Sequence, residues 1–499
     1  MFDISTLSIS LPFFLFVALI FVSIYLSRIR EITAEGYFFA DHDSSWLVHG
    51  SSFLTTWISG FFVFEMIIPR QSIWLIIAFA VVSTLMLAIL GGFVGPVLMK
   101  MRISTLPEYF ERRFGRGSKF YLSILYIFCN VALKLVVVLS LGGILIGKVA
   151  HIDPFSPLLF FLIITGIYVV VGGLKTEMYT SILEGILIVV VLTFFSFWLG
   201  SQKNLGGPSV ADTPSVQEIS LGTSLKSFGG WLLLALPVVG FWFWGADQAI
   251  FQRVLSAPSV QSLRRATVYH GVLQVIPVIL MAGAGIAFVP EMLTGKTVDA
   301  VFAPNAVPEM LRVSLLLAIA AALMALFAGI FNSTSSLVTY DLYRSLNPSS
   351  SNRTLLFVGR MTSIVLILCG ILLIPVSQAL DFGFCLILVR TFVYFASLVA
   401  AVFGSSLIMK RVGSLSAQLT LYIVSFMILL RVAAEILAYS HGLQSWIMDI
   451  MQAADPVRFI AFVFLTSVFF MVTIQVIETS LGAAPGQRVA HILSENEKK

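Results

Sequence analysis

The chain has 499 residues, of which 58% are apolar and 11% are charged, with a formal net charge of +5 and a mean hydropathy of +0.99. Soluble domains carry about a quarter charged residues, so a chain this apolar needs a lipid bilayer around it rather than a globular core. Its basic residues stand in short loops between apolar runs, which argues against nucleic-acid binding, and its three cysteines fall inside those runs, which argues against a disulfide framework.

Thirteen apolar runs are long enough to cross the hydrocarbon core as helices. They lie at 8–27, 46–68, 73–99, 120–147, 156–174, 178–200, 229–252, 268–290, 311–343, 355–379, 382–409, 415–440 and 457–481. The run at 8–27 has no basic residue before it and no small-residue cleavage site, so we expect a retained first span. The sequence therefore predicts an all-α polytopic membrane protein of about 13 transmembrane helices.

The distribution of basic residues predicts the orientation of these spans. Lys and Arg concentrate in alternate loops, above all in the loop after the third span, which holds Lys100, Arg102, Arg112, Arg113, Arg116 and Lys119. Basic loops remain on the cytoplasmic side. With an odd number of spans, we expect an outside N-terminus, a cytoplasmic C-terminus and a location in the plasma (inner) membrane.

Two spans contain polar residues beside a glycine, at 54–60 and at 241–248. The two spans are five apart, and broken helices at matching places in two halves indicate an inverted repeat with a binding site at the midplane. The alternative is that small residues only let neighbouring helices pack closely. The predicted organisation is a first helix and inner loop at 1–45, a core at 46–411 with repeats at 46–200 and 229–411, two further helices at 412–481, and a tail at 482–499.

Five short motifs follow one another along the chain. They are Glu35–Ala40 followed by Trp46, Ser104–Phe110 followed by Arg113–Gly115, Gly172–Leu174 with Thr180, Trp242–Arg253, and Phe331–Ser335 followed by Asp341–Tyr343. Together they resemble the sodium–solute symporter family, and its sodium–glucose cotransporter branch most closely. The resemblance implies a rocking-bundle transporter with core helices 1 to 10 at spans two to eleven. It also implies a substrate site between broken core helices 1 and 6, bordered by core helices 3, 7 and 10.

The resemblance also implies where sodium would bind, and the sequence departs from the family there. Two backbone carbonyls of core helix 1 would belong to Leu54 and Trp57. The hydroxyl pair of core helix 8 falls on Ala325 and Leu326, with Ala322 one turn earlier, and the aspartate of core helix 5 falls on Ser181. Sodium is a hard cation that needs oxygen ligands, and Ala325 and Leu326 offer none. We expect no cofactor, and sodium coupling is an open question.

The substrate ligands of the sugar branch are poorly kept. Its histidine of core helix 1 falls on Phe61, its lysine of core helix 7 on Gln274 and its glutamine of core helix 10 on Val389. A hexose needs many hydrogen bonds to replace lost water, so the sequence does not support glucose. The substrate-binding candidates for a smaller or flatter solute are Thr56, Phe61, Asn130, Trp244 and Gln274. Trp244 could stack against the solute or serve as plain helix packing.

Ionisable residues at membrane depth are costly and are functional candidates for that reason. Lys134 falls where the sugar branch carries an aspartate in core helix 3, and either replaces bound sodium, pairs with an anionic substrate, or forms a structural salt bridge to Glu184. Asp247, in the motif of core helix 6, suggests a structural or gating contact with Arg253. The coupling and charge candidates are Lys134, Ser181, Glu184 and Asp247.

Two further pairs of charges follow from their positions in the sequence. Arg431 and Glu435 are four residues apart on one helical face, which predicts a mutual ion pair. Glu65 and Arg390 fall in the outer halves of helices that form the outer gate in the family, and a gate pair is the hypothesis there.

Taken together, the sequence predicts a secondary transporter that moves a small organic solute by alternating access, with coupling to sodium, to protons or to neither left open. The alternative is a transporter-like sensor, or a degenerate homologue that binds without translocating. No nucleophile–base or metal-ligand pattern indicates an enzyme, and no filter motif indicates a channel. The expected partners are a small-molecule solute and the lipid bilayer, with no nucleic acid.

The orientation can be tested by cysteine labelling of Arg116→Cys in the basic loop. We expect a membrane-impermeant maleimide to label this cysteine only after the cells are permeabilised, because a loop this basic stays in the cytoplasm. The parent protein, whose cysteines lie in apolar runs, gives the background. Labelling of intact cells would reverse the topology.

Overall fold

A computed structural model describes residues 33–65, 73–201, 230–283, 307–409, 412–441 and 455–480 as continuous stretches. These residues are almost entirely helical, and no strand occurs among them. A spanning helix satisfies every backbone N–H and C=O internally, which the hydrocarbon core requires. The predicted span at 8–27 and the tail at 482–499 lie outside the described stretches, as do residues 202–229 and 284–306.

Eight helices make up the described part before residue 202. They are α1 (Ala34–Phe39), α2 (Trp46–Glu65), α3 (Ile73–Ile89), α4 (Gly95–Met101), α5 (Leu106–Phe114), α6 (Arg116–Phe128), α7 (Val136–Ala150) and α8 (Phe155–Ser201). Two π-helical turns join α3 to α4 and α6 to α7, at Leu90–Val94 and Cys129–Leu135. The membrane-crossing runs are therefore longer than the individual helices.

The described part after residue 229 contains ten further helices. They are α9 (Leu232–Phe241), α10 (Gln248–Leu255), α11 (Val260–Leu273), α12 (Val275–Gly283), α13 (Glu309–Ser336), α14 (Arg344–Leu346), α15 (Asn352–Ala379), α16 (Phe382–Ile408), α17 (Ser414–His441) and α18 (Pro456–Ser480). A π-helical turn at Leu337–Tyr343 joins α13 to α14.

The all-α membrane fold is confirmed. Among the described residues, eight helical runs are long and apolar enough to cross a membrane, and the bent pair α9–α10 makes a ninth. The figure of thirteen stays a prediction, because other predicted spans fall wholly or partly outside the described stretches.

The predicted spans at 156–174 and 178–200 both fall in α8, in which two helical segments meet at a kink at Gly173. Gly173 has φ 61° and ψ −146°, a backbone conformation that residues with a Cβ avoid. The carbonyl and ring of Tyr37 occupy the space that a Cβ at Gly173 would need. Glycine at this position therefore allows both the bend and the close packing of α1 on α8.

The seventh predicted span is broken at the predicted place. α9 ends at Phe241, a π-helical turn covers Trp242–Ala246, and Asp247 is extended at φ −65° and ψ 128° before α10 begins. The two helices meet at 48°. A break inside the bilayer leaves backbone groups without helical partners. Tyr126 satisfies one by donating its hydroxyl to the Ala246 carbonyl at 2.5 Å.

The other predicted interruption, at 54–60 in the second span, is not seen, because α2 is helical from Trp46 to Glu65. The threonine hydroxyls there have partners without a break: Thr56 donates to the Ser52 carbonyl of its own helix at 2.8 Å, and Thr55 to the Ser51 carbonyl at 3.1 Å and to the Ser181 carbonyl of α8 at 2.6 Å. Threonine satisfies its hydroxyl in this way without breaking a helix. A polar patch in the sequence is therefore not by itself a sign of a break.

The buried centre of the molecule is formed by α8 and α13, which pack along each other and contact α2. On α13 the fully buried positions include Ala320, Ala321 and Ala328. Small side chains of this kind let helix backbones approach closely in a membrane. The C-terminal half of α13 lies against the break between α9 and α10, where a cavity forms.

Replacing Gly173 with alanine tests the role of the bend. We expect Gly173→Ala to lower stability by about 1–3 kcal/mol from backbone strain alone, with a further loss because the new methyl group meets Tyr37. Gly92→Ala is the matched control, since nothing lies within 4 Å of a Cβ placed there. The measurement is the melting temperature of each purified variant in detergent. Equal melting temperatures would show that α8 bends without help from Gly173.

Candidate functional site

A cavity of about 120 Å³ lies beside the break between α9 and α10. Its walls come from α2, α3, α7, α9, α10, α13 and α16 and from the π-helical turns at Cys129–Leu135 and Trp242–Ala246. The lining residues are Thr56, Trp57, Phe79, Leu133, Lys134, Val137, Val138, Val239, Trp242, Phe243, Asp247, Ala249, Ala325, Leu326, Gly329, Ile330, Ser333, Val389, Phe392 and Val393. Nearly all are apolar, so the few polar groups decide what can bind.

Among the lining residues that the structure describes, Lys134 and Asp247 are the two with charged side chains. They form an ion pair through Lys134 Nζ and Asp247 Oδ2. The ammonium also lies 4.8 Å from the ring centre of Phe392 and 5.2 Å from that of Trp242. Aromatic faces attract cations electrostatically. Asp247 Oδ1 accepts a hydrogen bond from the Ala249 amide at 3.0 Å and so caps α10. The pair therefore connects the middle of one span to the broken point of another.

This pairing corrects two interpretations of the sequence. Lys134 pairs with Asp247 and not with Glu184, and Asp247 does not pair with Arg253. Glu184 is buried beside the Tyr168 hydroxyl and near Glu177, and neither of its oxygens accepts a well-formed hydrogen bond from a described residue. Tertiary packing sets these partners. Asp247 is extended at the break, and its side chain meets the Cys129–Leu135 turn that carries Lys134.

A second buried cluster, missed from the sequence, lies towards the other end of α10. Arg253 forms an ion pair with Glu177, and its Nε donates to Ser52 Oγ at 2.7 Å. Asn332 donates to the other oxygen of Glu177. α2, α8, α10 and α13 thus meet at one charge pair. Arg253 and Asn332 lie inside motifs identified in the sequence, and Glu177 stands one helical turn before Ser181. These positions could have pointed to the cluster from the sequence.

The positions implied for sodium are poor in oxygen. Ala322 and Ala325 are buried on α13, Ala325 and Leu326 line the cavity, and neither of those two side chains has a polar atom. Leu54 and Trp57 stand within the unbroken helix α2. On α8, Ser181 donates its hydroxyl to the Glu177 carbonyl at 2.8 Å. The described side chains at these positions are therefore either apolar or engaged with their own helix.

The predicted substrate-binding residues occupy different surroundings. Thr56 lines the cavity, and Asn130 donates to Ser333, a lining residue, at 3.1 Å and to Thr334 at 3.0 Å. Trp244 is buried outside the lining, where its Nε1 donates to Ser83 at 2.8 Å and its ring packs on Phe53, Phe243 and His270. Gln274, also outside the lining, donates to Thr84. The side chain of Phe61 lies outside what the structure describes.

The two other predicted charge pairs have different outcomes. Arg431 Nε and Glu435 Oε1 are 2.7 Å apart, which confirms that pair, and the Tyr394 hydroxyl donates to the same oxygen at 2.9 Å. Arg390 is half-buried on α16. The side chain of Glu65 lies outside the described part of the chain, so the outer-gate pair stays a prediction.

Two recognised motifs meet below the cavity, at the predicted cytoplasmic side. Thr105 donates to Asp341 Oδ1 at 2.6 Å, while Lys119 lies 3.9 Å from that oxygen and 2.7 Å from Glu111. Nearby on α5, burial raises the pKa of Tyr109 to about 12, so its hydroxyl stays neutral and bonds to Ser406 at 2.8 Å. These contacts fix the basic loop against the end of α13.

Comparison with known proteins agrees with this geometry. The model of the Sodium:solute symporter family matches residues 37–423. Solute carrier family 5 member 4B of Mus musculus is 28% identical over 461 residues, 82% of this chain and 69% of that protein. Sodium/glucose cotransporter 2 of Rattus norvegicus is 29% identical over 443 residues, 78% and 66% of the two chains. Sodium/myo-inositol cotransporter 2 of Sus scrofa is 27% identical over 439 residues, which are 78% of this chain and 64% of that protein.

Among solved structures, the chain resembles that of a Na⁺-coupled sialic acid symporter in a substrate-bound, outward-open state. The TM-score is 0.76, with 18% identity, over 97% of this chain and 98% of that chain. Likeness at this identity establishes the fold. The helical membrane fold and the family match define a secondary transporter, and the relatives named above are transporters rather than enzymes. The chain belongs to the sodium:solute symporter family.

Paired substitutions can separate the two neighbouring tryptophans. We expect Trp242→Ala to weaken solute binding at least tenfold, about 1.4 kcal/mol, because Trp242 lines the cavity. We expect Trp244→Phe to leave affinity within about twofold and to lower stability by about 1 kcal/mol, since it loses the hydrogen bond to Ser83. Isothermal titration and thermal melting give the two readouts. An equal loss of affinity in both variants would support the prediction that Trp244 contacts the solute.

Proposed function

We propose that this protein moves a small organic solute across the plasma membrane by alternating access, without sodium at the usual position of the family. Its N-terminus would lie outside and its C-terminus in the cytoplasm. The observation that carries the proposal is the Lys134–Asp247 ion pair in the cavity that Ala325 and Leu326 also line. A fixed cation stands close to a place where the family is expected to bind a mobile one.

Coordination chemistry supports the loss of the sodium site. A bound sodium ion has to replace its hydration oxygens with protein oxygens, and an unmet polar contact in a dry site costs several kcal/mol. Ala325 and Leu326 supply no oxygen, and the carbonyls of Leu54 and Trp57 belong to an unbroken helix. Ser333, the nearest hydroxyl on α13 that lines the cavity, donates to the Gly329 carbonyl at 2.6 Å.

Electrostatics supports Lys134 as the substitute. The ammonium neutralises Asp247 at the break and lies beside two aromatic rings, so the carboxylate is balanced without an ion from solution. A lysine cannot leave with the solute. Sodium would then supply no driving force, and the remaining modes are proton coupling or uniport.

Glu184 is the carboxylate best suited to a proton-coupled cycle. It is buried on α8, and its oxygens accept no well-formed hydrogen bond from the described residues. A carboxylate at membrane depth is costly when ionised, so a proton bound there removes a charge before the transporter changes state. Thr55, on the helix that borders the cavity, donates to the Ser181 carbonyl at 2.6 Å and links α8 to α2.

Sodium dependence is measured at two levels. On purified protein, a ligand that binds only the folded state raises stability by RT ln(1 + [L]/Kd). We therefore expect equal melting temperatures in sodium, potassium and choline chloride at one ionic strength. In reconstituted vesicles, with a solute that stabilises the protein in the same assay, a sodium gradient alone should not increase uptake.

Two variants of the same chain test whether a proton on Glu184 drives uptake. Under proton coupling, Glu184→Gln abolishes acceleration by a proton gradient, whereas Glu309→Gln, at an exposed carboxylate outside the site, leaves it unchanged. Steep, saturable dependence on sodium with no effect of pH would defeat the proposal. Binding of the solute with no uptake under any gradient would instead indicate a sensor.

A further inference from the structure

We propose that Lys134, flanked by the rings of Trp242 and Phe392, is the binding site for the oxyanion group of the solute, and that the solute is a small monocarboxylate with an apolar body. This inference rests on the proposed function in one respect: the cavity at the break is taken as the solute site. It adds the chemical class of the solute and the atom that recognises it.

The first support is the unequal availability of the two charged groups. The side chain of Lys134 is 22% exposed and that of Asp247 is 6% exposed. A lysine ammonium has three N–H donors, and the described contacts use one of them, to Asp247. Both oxygens of Asp247 already accept a hydrogen bond, one from Lys134 and one from the Ala249 amide. Each carboxylate oxygen can accept a further hydrogen bond, but Asp247 is more enclosed than Lys134, so an incoming group reaches the ammonium donors more readily.

The second support is the position of the ammonium relative to the two rings. The ring centres of Phe392 and Trp242 lie 4.8 and 5.2 Å from Nζ. The rings cover part of the ammonium, and in a low-dielectric site a charge-assisted hydrogen bond is shorter and stronger than a neutral one. A carboxylate that reaches Nζ would also place its apolar carbon atoms beside the two rings.

The third support is the character of the remaining wall. Away from the ion pair the described lining is almost wholly apolar, for example Val137, Leu326, Val389 and Val393. Polar atoms in such surroundings lose hydrogen bonds to water without replacement, so a polyhydroxylated solute is disfavoured. An apolar cavity of roughly 150 Å³ is known to hold one benzene molecule. At about 120 Å³, this cavity is of the same order, which suits a short alkyl chain or at most a single small ring.

Access to the two charges favours an anion over a cation. A cationic solute would have to reach Asp247, which is nearly enclosed, and would lie beside Lys134 with like charge. An anionic solute shares Lys134 with Asp247 and weakens the bridge between the Cys129–Leu135 turn and the start of α10. Binding of the solute would thereby loosen the contact that holds the broken helix.

The inference is tested by binding, with butyrate and benzoate as probes. Each is compared with its amide and with the amine of similar size, butylamine or benzylamine, by isothermal titration on the purified full chain at constant ionic strength. We expect each carboxylate to bind at least tenfold more tightly than its amide, and the amines to bind no better than the amides. The tenfold ratio corresponds to about 1.4 kcal/mol.

Variants assign the preference to Lys134. Lys134→Arg keeps the cation and should keep the preference for carboxylates. The double variant Lys134→Met/Asp247→Asn removes both charges without leaving one unpaired, and should bind carboxylate and amide within about twofold of each other. Lys148→Met, near the end of α7 and outside the lining, is the control and should bind as the parent does.

Each outcome decides the question. Amides that bind as tightly as carboxylates, tighter binding of amines, no binding of any probe, or an unchanged carboxylate preference in the folded double variant would each overturn the inference. If the double variant does not fold, the comparison of carboxylate with amide in the parent still decides. Sodium-dependent stability with an intact carboxylate preference would defeat the proposed function alone. Sodium-independent uptake of a different solute would leave that function standing without this inference.

Discussion

An ionised side chain inside a bilayer must be neutralised nearby, and this constraint organises the interior of the protein. Placing a single charge at the centre of the hydrocarbon costs at least about 3 kcal/mol, and removing one partner of a buried pair costs about 3–5 kcal/mol. Lys134 is paired with Asp247, Arg253 with Glu177, and Arg431 with Glu435. The first two pairs join residues that are distant in the sequence, so they fix which helices are neighbours.

The short helix α10 is where the two long-range pairs meet. Asp247 caps its first turn and Arg253 stands in its last turn, which is the favourable direction for a helix dipole, with the negative charge at the N-terminus and the positive charge at the C-terminus. Asp247 then binds α10 to the turn before α7, and Arg253 binds it to α8 through Glu177. α10 is therefore held at both ends by charges, while the extended residue before it allows it to bend away from α9.

The sequence was sufficient for the class of fold and for the position of one break, because both depend on local patterns. Apolar runs reveal spans, Gly173 is explained by a backbone conformation that needs glycine, and the polar run after Gly245 does mark the end of a helix. The sequence was not sufficient for the partners of Lys134 and Arg253, since these are set by packing between distant segments. The predicted break in α2 was wrong because threonine hydroxyls can bond back to their own helix.

The two tryptophans show a different limit. Trp242 lines the cavity while Trp244 packs against Ser83 and His270, although both belong to one motif. The turn at Trp242–Ala246 is π-helical, with an extra residue relative to an α-helix. Residues two positions apart do not share a face in an α-helix either, so only one of the two tryptophans can face the cavity, and the sequence alone does not say which.

Replacing a diffusible cation with a tethered one would change the energetics of transport more than it changes the structure. A bound sodium ion contributes a free energy that depends on its concentration on each side, and so it shifts the populations of the two access states. A lysine contributes the same charge at every concentration, so it can hold the site together but cannot supply a gradient. The ion pair with Asp247 then becomes the switch itself, since a group that competes for Lys134 alters the contact between the turn before α7 and the start of α10. Under this arrangement the solute would control the conformational change that sodium controls when a mobile ion occupies the site.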